Sequence, residues 1–140
     1  MSARSTIAAT GAVLAAAVLG LPAAAAAPAI PLNGDQETAA ADPDGHGFFT
    51  YSIQGTTFCW TLGWQDIQTP TAAHVHIGAR NIAGPVLIPL DVDGLPGPDM
   101  SGCTTISTEL AAAISANPKN YYANVHNATF PAGAIRGQLK

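Results

Sequence analysis

Two histidines, His74 and His76, stand one residue apart in the otherwise apolar run AAHVHIGA. Alternate residues of a β-strand project from the same face about 6.5 Å apart, so these two rings can face a common point. A third imidazole, His126, lies in a second alternating segment, YYANVHN. Three histidines around one ion leave a coordination position open, and imidazole nitrogen suits zinc and copper. The pattern predicts a mononuclear copper or zinc site.

Polar neighbours are expected to support this site. Tyr122 and Asn124 share a strand face with His126 by the same alternation. Arg136, in IRGQL, lies opposite the inward-facing positions of its strand and can reach a carboxylate or carbonyl near the histidines. His46, in the GHG segment, is a weaker candidate for a fourth ligand.

Two other functions fit the same residues. Histidines on a polar face can be satisfied by backbone carbonyls or carboxylates, so they can brace the strands of a structural or interaction module without any metal. An open coordination position also permits a metal-dependent enzyme. The sequence contains no HEXXH motif, no GxSxG elbow and no Gly-rich phosphate loop, so we expect a binding protein rather than an enzyme.

Residues 1–27 have the pattern of a secretory signal peptide. Arg4 precedes an apolar run that breaks at Pro22 and continues into a tract of alanines with overlapping Ala-x-Ala sites. The apolar run is too short to hold a helix across a bilayer. We therefore expect a cleaved leader, no transmembrane segment after cleavage, and a secreted or extracytoplasmic protein of the cell envelope.

The charge of the chain argues against nucleic acid as a partner. The chain has five basic and nine acidic residues, and loss of Arg4 with the leader leaves four basic residues and a net charge of −5. Nucleic-acid binding depends on clustered Lys and Arg side chains that neutralise phosphates. The remaining basic residues form no run, so a metal ion or an extracellular or envelope protein is the expected partner.

Cys59 and Cys103 are the only cysteines of the chain. In an oxidising compartment they are expected to form a disulfide, the one intramolecular bridge available. A closed loop of roughly 44 residues removes about 4 kcal/mol of unfolded-state entropy.

The chain is long enough for one small domain, and its periodicity is that of strands. Residues 28–45 are rich in Pro, Asp, Gly and Ala and are predicted to be an extended lead-in segment. Alternating segments then follow at short intervals, while STELAAAISANP predicts one helix with Ser107 as its N-cap. These signals predict an all-β fold, an antiparallel Greek-key sandwich or barrel of the immunoglobulin or superoxide-dismutase type, with one short helix in a crossover.

Two blocks of the sequence resemble the signature of a known family. PTAAHVHIGARNIAGPVLIPL and NPKNYYANVHNATFPAGAIRGQL are similar to the two signature blocks of the chordin-type, or CHRD, domain. The match covers about residues 46–139, so residues 46–140 are identified as a CHRD domain. The matching positions are His74, His76, Gly78, Gly84, Pro85, Val86, Tyr122, His126, Phe130, Pro131, Gly133, Arg136, Gly137 and Leu139.

The resemblance implies an all-β domain in a small exported bacterial protein of binding type. It implies no catalytic set. The animal members combine the domain with cysteine-rich modules that bind growth factors, and this chain lacks those modules, so growth-factor antagonism is not expected here. Because both histidine blocks fall within the signature, the resemblance also implies that the histidines act together.

Overall fold

The computed structural model describes residues 28–92 and 99–140. The predicted signal peptide, residues 1–27, lies outside the described residues. No helix in the described part of the chain has both the length and the hydropathy needed to cross a membrane.

Antiparallel strands make up most of the described residues. They are β1 (Ile30–Asn33), β2 (His46–Gln54), β3 (Thr57–Gln65), β4 (Pro70–Ile77), β5 (Val86–Leu90), β6 (Asp99–Thr105), β7 (Tyr121–Asn127) and β8 (Ile135–Gln138). One α-helix, α1 (Thr108–Ala116), and two 3-10 turns, Gly34–Gln36 and Pro118–Asn120, complete the secondary structure.

The eight described strands form one sheet in the order β5-β4-β7-β8-β1-β2-β3-β6. The sheet curls into a nearly closed barrel or sandwich with β5 and β6 at its two edges. Helix α1 joins edge strand β6 to β7 on the other side of the sheet, so it is the predicted crossover. The predicted all-β class is confirmed, and Pro89 lies on an edge strand, where a missing N–H donor is tolerated.

The core lies inside the barrel and is built by strand alternation. Trp60 and Trp64 of β3 are 4% and 9% exposed, and Val75 of β4 and Val125 of β7 are fully buried. Apolar residues at every second position therefore fill the interior, while the alternate positions of the same strands face outward. Both tryptophans belong to this core rather than to a ligand groove.

Local signals set the ends of two elements. Ser107 caps α1, because its hydroxyl accepts a hydrogen bond from the Leu110 N–H, and Ile114 anchors the helix to the core at 0% exposure. Gly55, with φ +60°, forms the tight turn between β2 and β3.

The lead-in segment contributes more to the fold than its composition indicated. Strand β1 pairs along its whole length with β2, and through Asn33 with Arg136 of β8. Ile30 and Leu32 are each 1% exposed. A four-residue strand with Pro31 inside it offers only two alternating apolar positions, too few to stand out from a loop in sequence.

The segment 91–102, which composition predicts to be a long loop, is partly strand. Asp99–Gly102 belong to β6 and pair with Gly63–Trp60 of β3. Polar and small residues form this strand because it is an edge strand whose exposed side chains need not be apolar.

The predicted disulfide between Cys59 and Cys103 is confirmed. The two residues are direct cross-strand partners on β3 and β6. Cys103 is exposed, and the bridge fastens the edge strand to the outer face of the sheet.

Candidate metal centre

Neighbouring strands β4 and β7 carry the three histidines on the outer face of the barrel. In the register of these strands Ala72 faces His126, His74 faces Asn124 and His76 faces Tyr122. Two irregularities flank the group: the β4–β7 register shifts between Pro70 and Ala72, and the β4–β5 register shifts between Val75 and His76. Such bulges re-aim side chains and are frequent next to functional sites.

The imidazole nitrogens of the three residues come together. His74 Nδ1 lies 3.1 Å from His126 Nε2, and one nitrogen from each of His74, His76 and His126 lies within 4.8 Å of the others. Ligands about 2.0–2.1 Å from a tetrahedral ion lie about 3.3 Å apart. The His74–His126 pair already has this spacing, and the other pairs must close by at most about 1.5 Å for all three nitrogens to bind one ion.

Backbone carbonyls determine which nitrogens are free. Nδ1–H of His76 donates to the Gly84 carbonyl at 2.8 Å, and Nδ1–H of His126 donates to the Pro131 carbonyl at 3.1 Å. Each neutral ring therefore keeps its lone pair on Nε2, and that of His126 accepts a hydrogen bond from His74 Nδ1–H at 3.1 Å, which an ion must displace. His76 Nε2 is buried and has no hydrogen-bond partner. Histidines that ligate metals commonly donate their other ring N–H to a carbonyl in this way.

Solvent reaches the group from the side of His74. His76 is 7% exposed, whereas His74 and His126 are half-buried. A shallow depression bordered by Thr71, Ala72, His74, Pro89 and Asp91 opens beside them. An ion can therefore reach His74 from this depression.

The His76 ring stacks on Tyr122, and Tyr122 stacks in turn on Arg136. The rings of His76 and Tyr122 are nearly parallel, with an interplanar angle of 5° and centroids 4.7 Å apart. The guanidinium carbon of Arg136 lies 3.4 Å from the Tyr122 ring centroid. Because β7 lies between β4 and β8, Tyr122 separates the candidate ligand from this permanent cation.

The same stack fixes the 78–85 loop, which supplies the carbonyl that orients His76. Arg136, only 1% exposed, donates to the carbonyls of Ala79 and Ile82. The Gly84 N–H donates to the Tyr122 hydroxyl at 3.2 Å. Arg136 thus contacts carbonyls near the histidines, and of the three residues predicted to support the site, Arg136 and Tyr122 hold this loop, whereas Asn124 contacts Glu37.

Two contributors were missed by sequence reasoning. Gln138 Nε2 donates to the carbonyls of Gly78 and Tyr121, which fastens the start of the same loop. Because Gln138 lies two residues after Arg136 on the same strand face, the sequence could have identified it as a neighbour of the site. Glu37, which accepts from Asn124 Nδ2 at 3.4 Å, comes from the lead-in segment, and no local pattern connects it to the site.

His46 is not brought to the other histidines. It lies on β2, four strands from β4, with its side chain 52% exposed. Its ring nitrogens contact the Asp44 carbonyl and Gln65 Oε1, both at 3.1 Å. These contacts raise the pKa of His46, so the ring tends to keep its proton, whereas a metal ligand must lose it.

The environment of the group favours uncharged rings. Burial, together with the nearby His126 and His76, lowers the pKa of His74 to about 4. Burial also lowers the pKa of His126. Neutral imidazole is the form that binds metal, so His74 and His126 are ready to bind at neutral pH.

The lowered pKa of His74 predicts acid sensitivity of the metal-free protein. Below the usual histidine pKa of about 6.5 the unfolded chain takes up a proton that folded His74 refuses, so stability falls as the pH drops from about 6.5 towards 4. With a discount for partial exposure, we expect His74 to account for roughly 1–2 kcal/mol of this loss. Urea unfolding with a chelator at pH 7 and pH 4.5 measures it. Equal losses in the wild type and in His74→Gln would contradict the prediction.

Comparison with known proteins identifies the family of this chain. The family model described as the CHRD domain matches residues 29–139, which includes β1 and every other strand described above. No curated protein and no solved structure matches the chain. CHRD domains are interaction modules, in agreement with a binding role. The match covers most of the chain, and we conclude that this protein belongs to the CHRD domain family.

Proposed function

We propose that this protein is an exported binding protein that holds one copper or zinc ion through His74, His76 and His126. The observation that carries the proposal is the buried, unpartnered Nε2 of His76, which belongs to a group of imidazole nitrogens within 4.8 Å of one another. A buried polar atom without a partner is rare in folded proteins and calls for an explanation. A metal ion supplies the missing partner.

The donor set supports copper or zinc over other metals. Among the described residues the group consists of three histidines without a carboxylate or a thiolate, and imidazole is a good ligand for both ions. Calcium and magnesium require oxygen ligands. Export is supported by the leader pattern of residues 1–27 and by the disulfide, which persists in oxidising compartments.

Bracing of the fold is the second candidate function of the histidines. It is favoured by the hydrogen bonds from Nδ1 of His76 and His126 to two separate carbonyls. These bonds tie strands β4 and β7 to the 78–85 loop and to Pro131. The bonds to the carbonyls use Nδ1 and leave Nε2 of both rings for a metal ion, which would replace the bond between His74 Nδ1 and His126 Nε2. Measurements with and without metal can therefore separate bracing from metal binding.

Metal binding by tag-free protein tests the proposal. We expect the wild type to bind one equivalent of zinc or copper, and His126→Ala to lose at least about 100-fold in affinity because two histidines remain. Loss of one ligand costs more than the 10–100-fold typical of an outer contact. His46→Ala is the matched control, since this exposed histidine lies on β2, and it should bind like the wild type. Elemental analysis and competition titration give these values.

Thermal unfolding separates the two candidate functions. If the histidines bind metal, an ion concentration of 100 times Kd stabilises the wild type by about 2.7 kcal/mol and leaves His126→Ala unchanged. If they only brace, His126→Ala lowers the melting temperature by the same amount with and without metal. Negligible metal in both wild type and variant would refute the metal site.

A further inference from the structure

We propose that Asn124 completes the metal centre by accepting a hydrogen bond from a water molecule bound at the open coordination position. The inference rests on the proposed function, because it names the group that recognises the fourth ligand of the same ion. It goes beyond the three histidines, since Asn124 contacts the water rather than the metal.

Asn124 is buried and only half satisfied. It is 2% exposed, and its carbonyl oxygen Oδ1 has no hydrogen-bond partner. Its amide nitrogen Nδ2 donates to Glu37 Oε1 at 3.4 Å. Asn124 Oδ1 is therefore, like His76 Nε2, a buried acceptor without a hydrogen-bond partner on the outer face of the sheet.

Strand register places Asn124 next to the candidate ligands. It is the direct cross-strand partner of His74, so the two side chains share the outer face of the sheet, and it lies two residues before His126 on β7. Directly opposed side chains have Cβ atoms about 4.5–5.5 Å apart. A water on an ion shared by His74 and His126 lies within reach of an amide at this position.

Glu37 determines which end of the Asn124 amide is free. A carboxylate only accepts hydrogen bonds, so Nδ2 must face Glu37 and Oδ1 must point away from it. Glu37 is itself held in place: it is half-buried, and its carboxylate packs so closely against Gly133 that a Cβ there would collide with it. Glu37 is accordingly a positioning residue for Asn124.

The chemistry of the fourth ligand follows from this arrangement. An acceptor at the open position recognises a ligand with an O–H or N–H group, such as water, and disfavours a ligand without a hydrogen to donate. In three-histidine zinc sites the fourth position holds a water or a substrate. Asn124 therefore selects for protonated oxygen ligands at the ion.

Azide binding to the cobalt(II)-loaded protein tests the inference. Azide ion has no hydrogen to donate, so it must displace the water that Asn124 holds. In Asn124→Leu, which removes the acceptor at similar volume, we expect azide to bind about fivefold more tightly and the visible cobalt spectrum to change. Affinity for cobalt(II) itself should fall by about 10-fold.

Control variants distinguish failure of this inference from failure of the proposed function. Asn33→Leu removes another buried unpartnered amide oxygen, on β1, and should leave the cobalt spectrum and the azide affinity unchanged. Asn124→Ala leaves room for water to solvate Glu37 and replaces the leucine variant if that variant does not fold. Unchanged azide affinity in a folded Asn124 variant overturns the inference alone. Failure of the wild type to bind cobalt, zinc or copper overturns the proposed function and this inference together.

Discussion

Replacing Arg136 by alanine should lower the free energy of unfolding by about 4 kcal/mol, because this residue is 1% exposed and its guanidinium donates three hydrogen bonds. Its loss takes the donor from the Ile82 carbonyl and one of two donors from the Ala79 carbonyl, and it empties a fully buried site, where large-to-small substitutions cost about 2–5 kcal/mol. It also removes the cation stacked on Tyr122. Urea unfolding of both proteins with a chelator present measures the difference.

Arg80→Ala is the matched control for Arg136→Ala. Arg80 is an exposed arginine in the same 78–85 loop, and its replacement should change stability by less than about 0.5 kcal/mol. Arg136→Lys should recover only part of the loss, since an ammonium cannot present the planar fork that reaches two carbonyls. A loss below 1 kcal/mol for Arg136→Ala would mean that the 78–85 loop does not depend on this side chain.

Removal of the disulfide should have a similar effect. The double variant Cys59→Ala/Cys103→Ala releases a loop of 44 residues, which corresponds to about 4 kcal/mol of unfolded-state entropy. For a domain of this size we expect the melting temperature to fall by roughly 15 °C. The bridge fastens β6, an edge strand paired only with β3, so the outer edge of the sheet should loosen first. Differential scanning calorimetry measures the change.

Chemical reduction provides an independent check of the disulfide. Because Cys103 is exposed, dithiothreitol should reach the bridge in the folded protein and lower the melting temperature of the wild type to that of the double variant. The double variant itself should not respond to dithiothreitol. Melting temperatures of oxidised and reduced wild type within 2 °C of each other would show that the bridge contributes little.

The Arg136 variant and the disulfide variant should differ in their effect on the candidate metal centre. Arg136 acts on His76 through the 78–85 loop, whose Gly84 carbonyl orients the ring. Arg136→Ala is therefore expected to weaken metal binding as well as folding, whereas removal of the disulfide, which joins β3 to β6, is expected to affect folding alone. Comparing the metal affinities of the two variants separates positioning of the ligand from general stability.

Strand alternation determined much of the fold and part of the site from sequence alone. The inward and outward sets of β3, β4 and β7 follow a period of two, and this period also put His74 and His76 on one face, with Tyr122, Asn124 and His126 on another. The Cys59–Cys103 pair followed from the sequence, because two cysteines allow only one intramolecular bridge. Strand alternation depends only on neighbouring residues, and two cysteines allow only one bridge, so both can be inferred without the tertiary structure.

Tertiary structure alone decided which of these faces meet. Pairing of β4 with β7 brings His126 to His74, although 52 residues separate them in the chain. The strand order leaves His46 on β2, four strands away from β4. Long-range pairing also recruited Glu37 from the lead-in segment and directed Arg136 to the carbonyls of the 78–85 loop. The physical reason is that strand order and register arise from burial of the whole core, so no single segment encodes which outward-facing side chains will become neighbours.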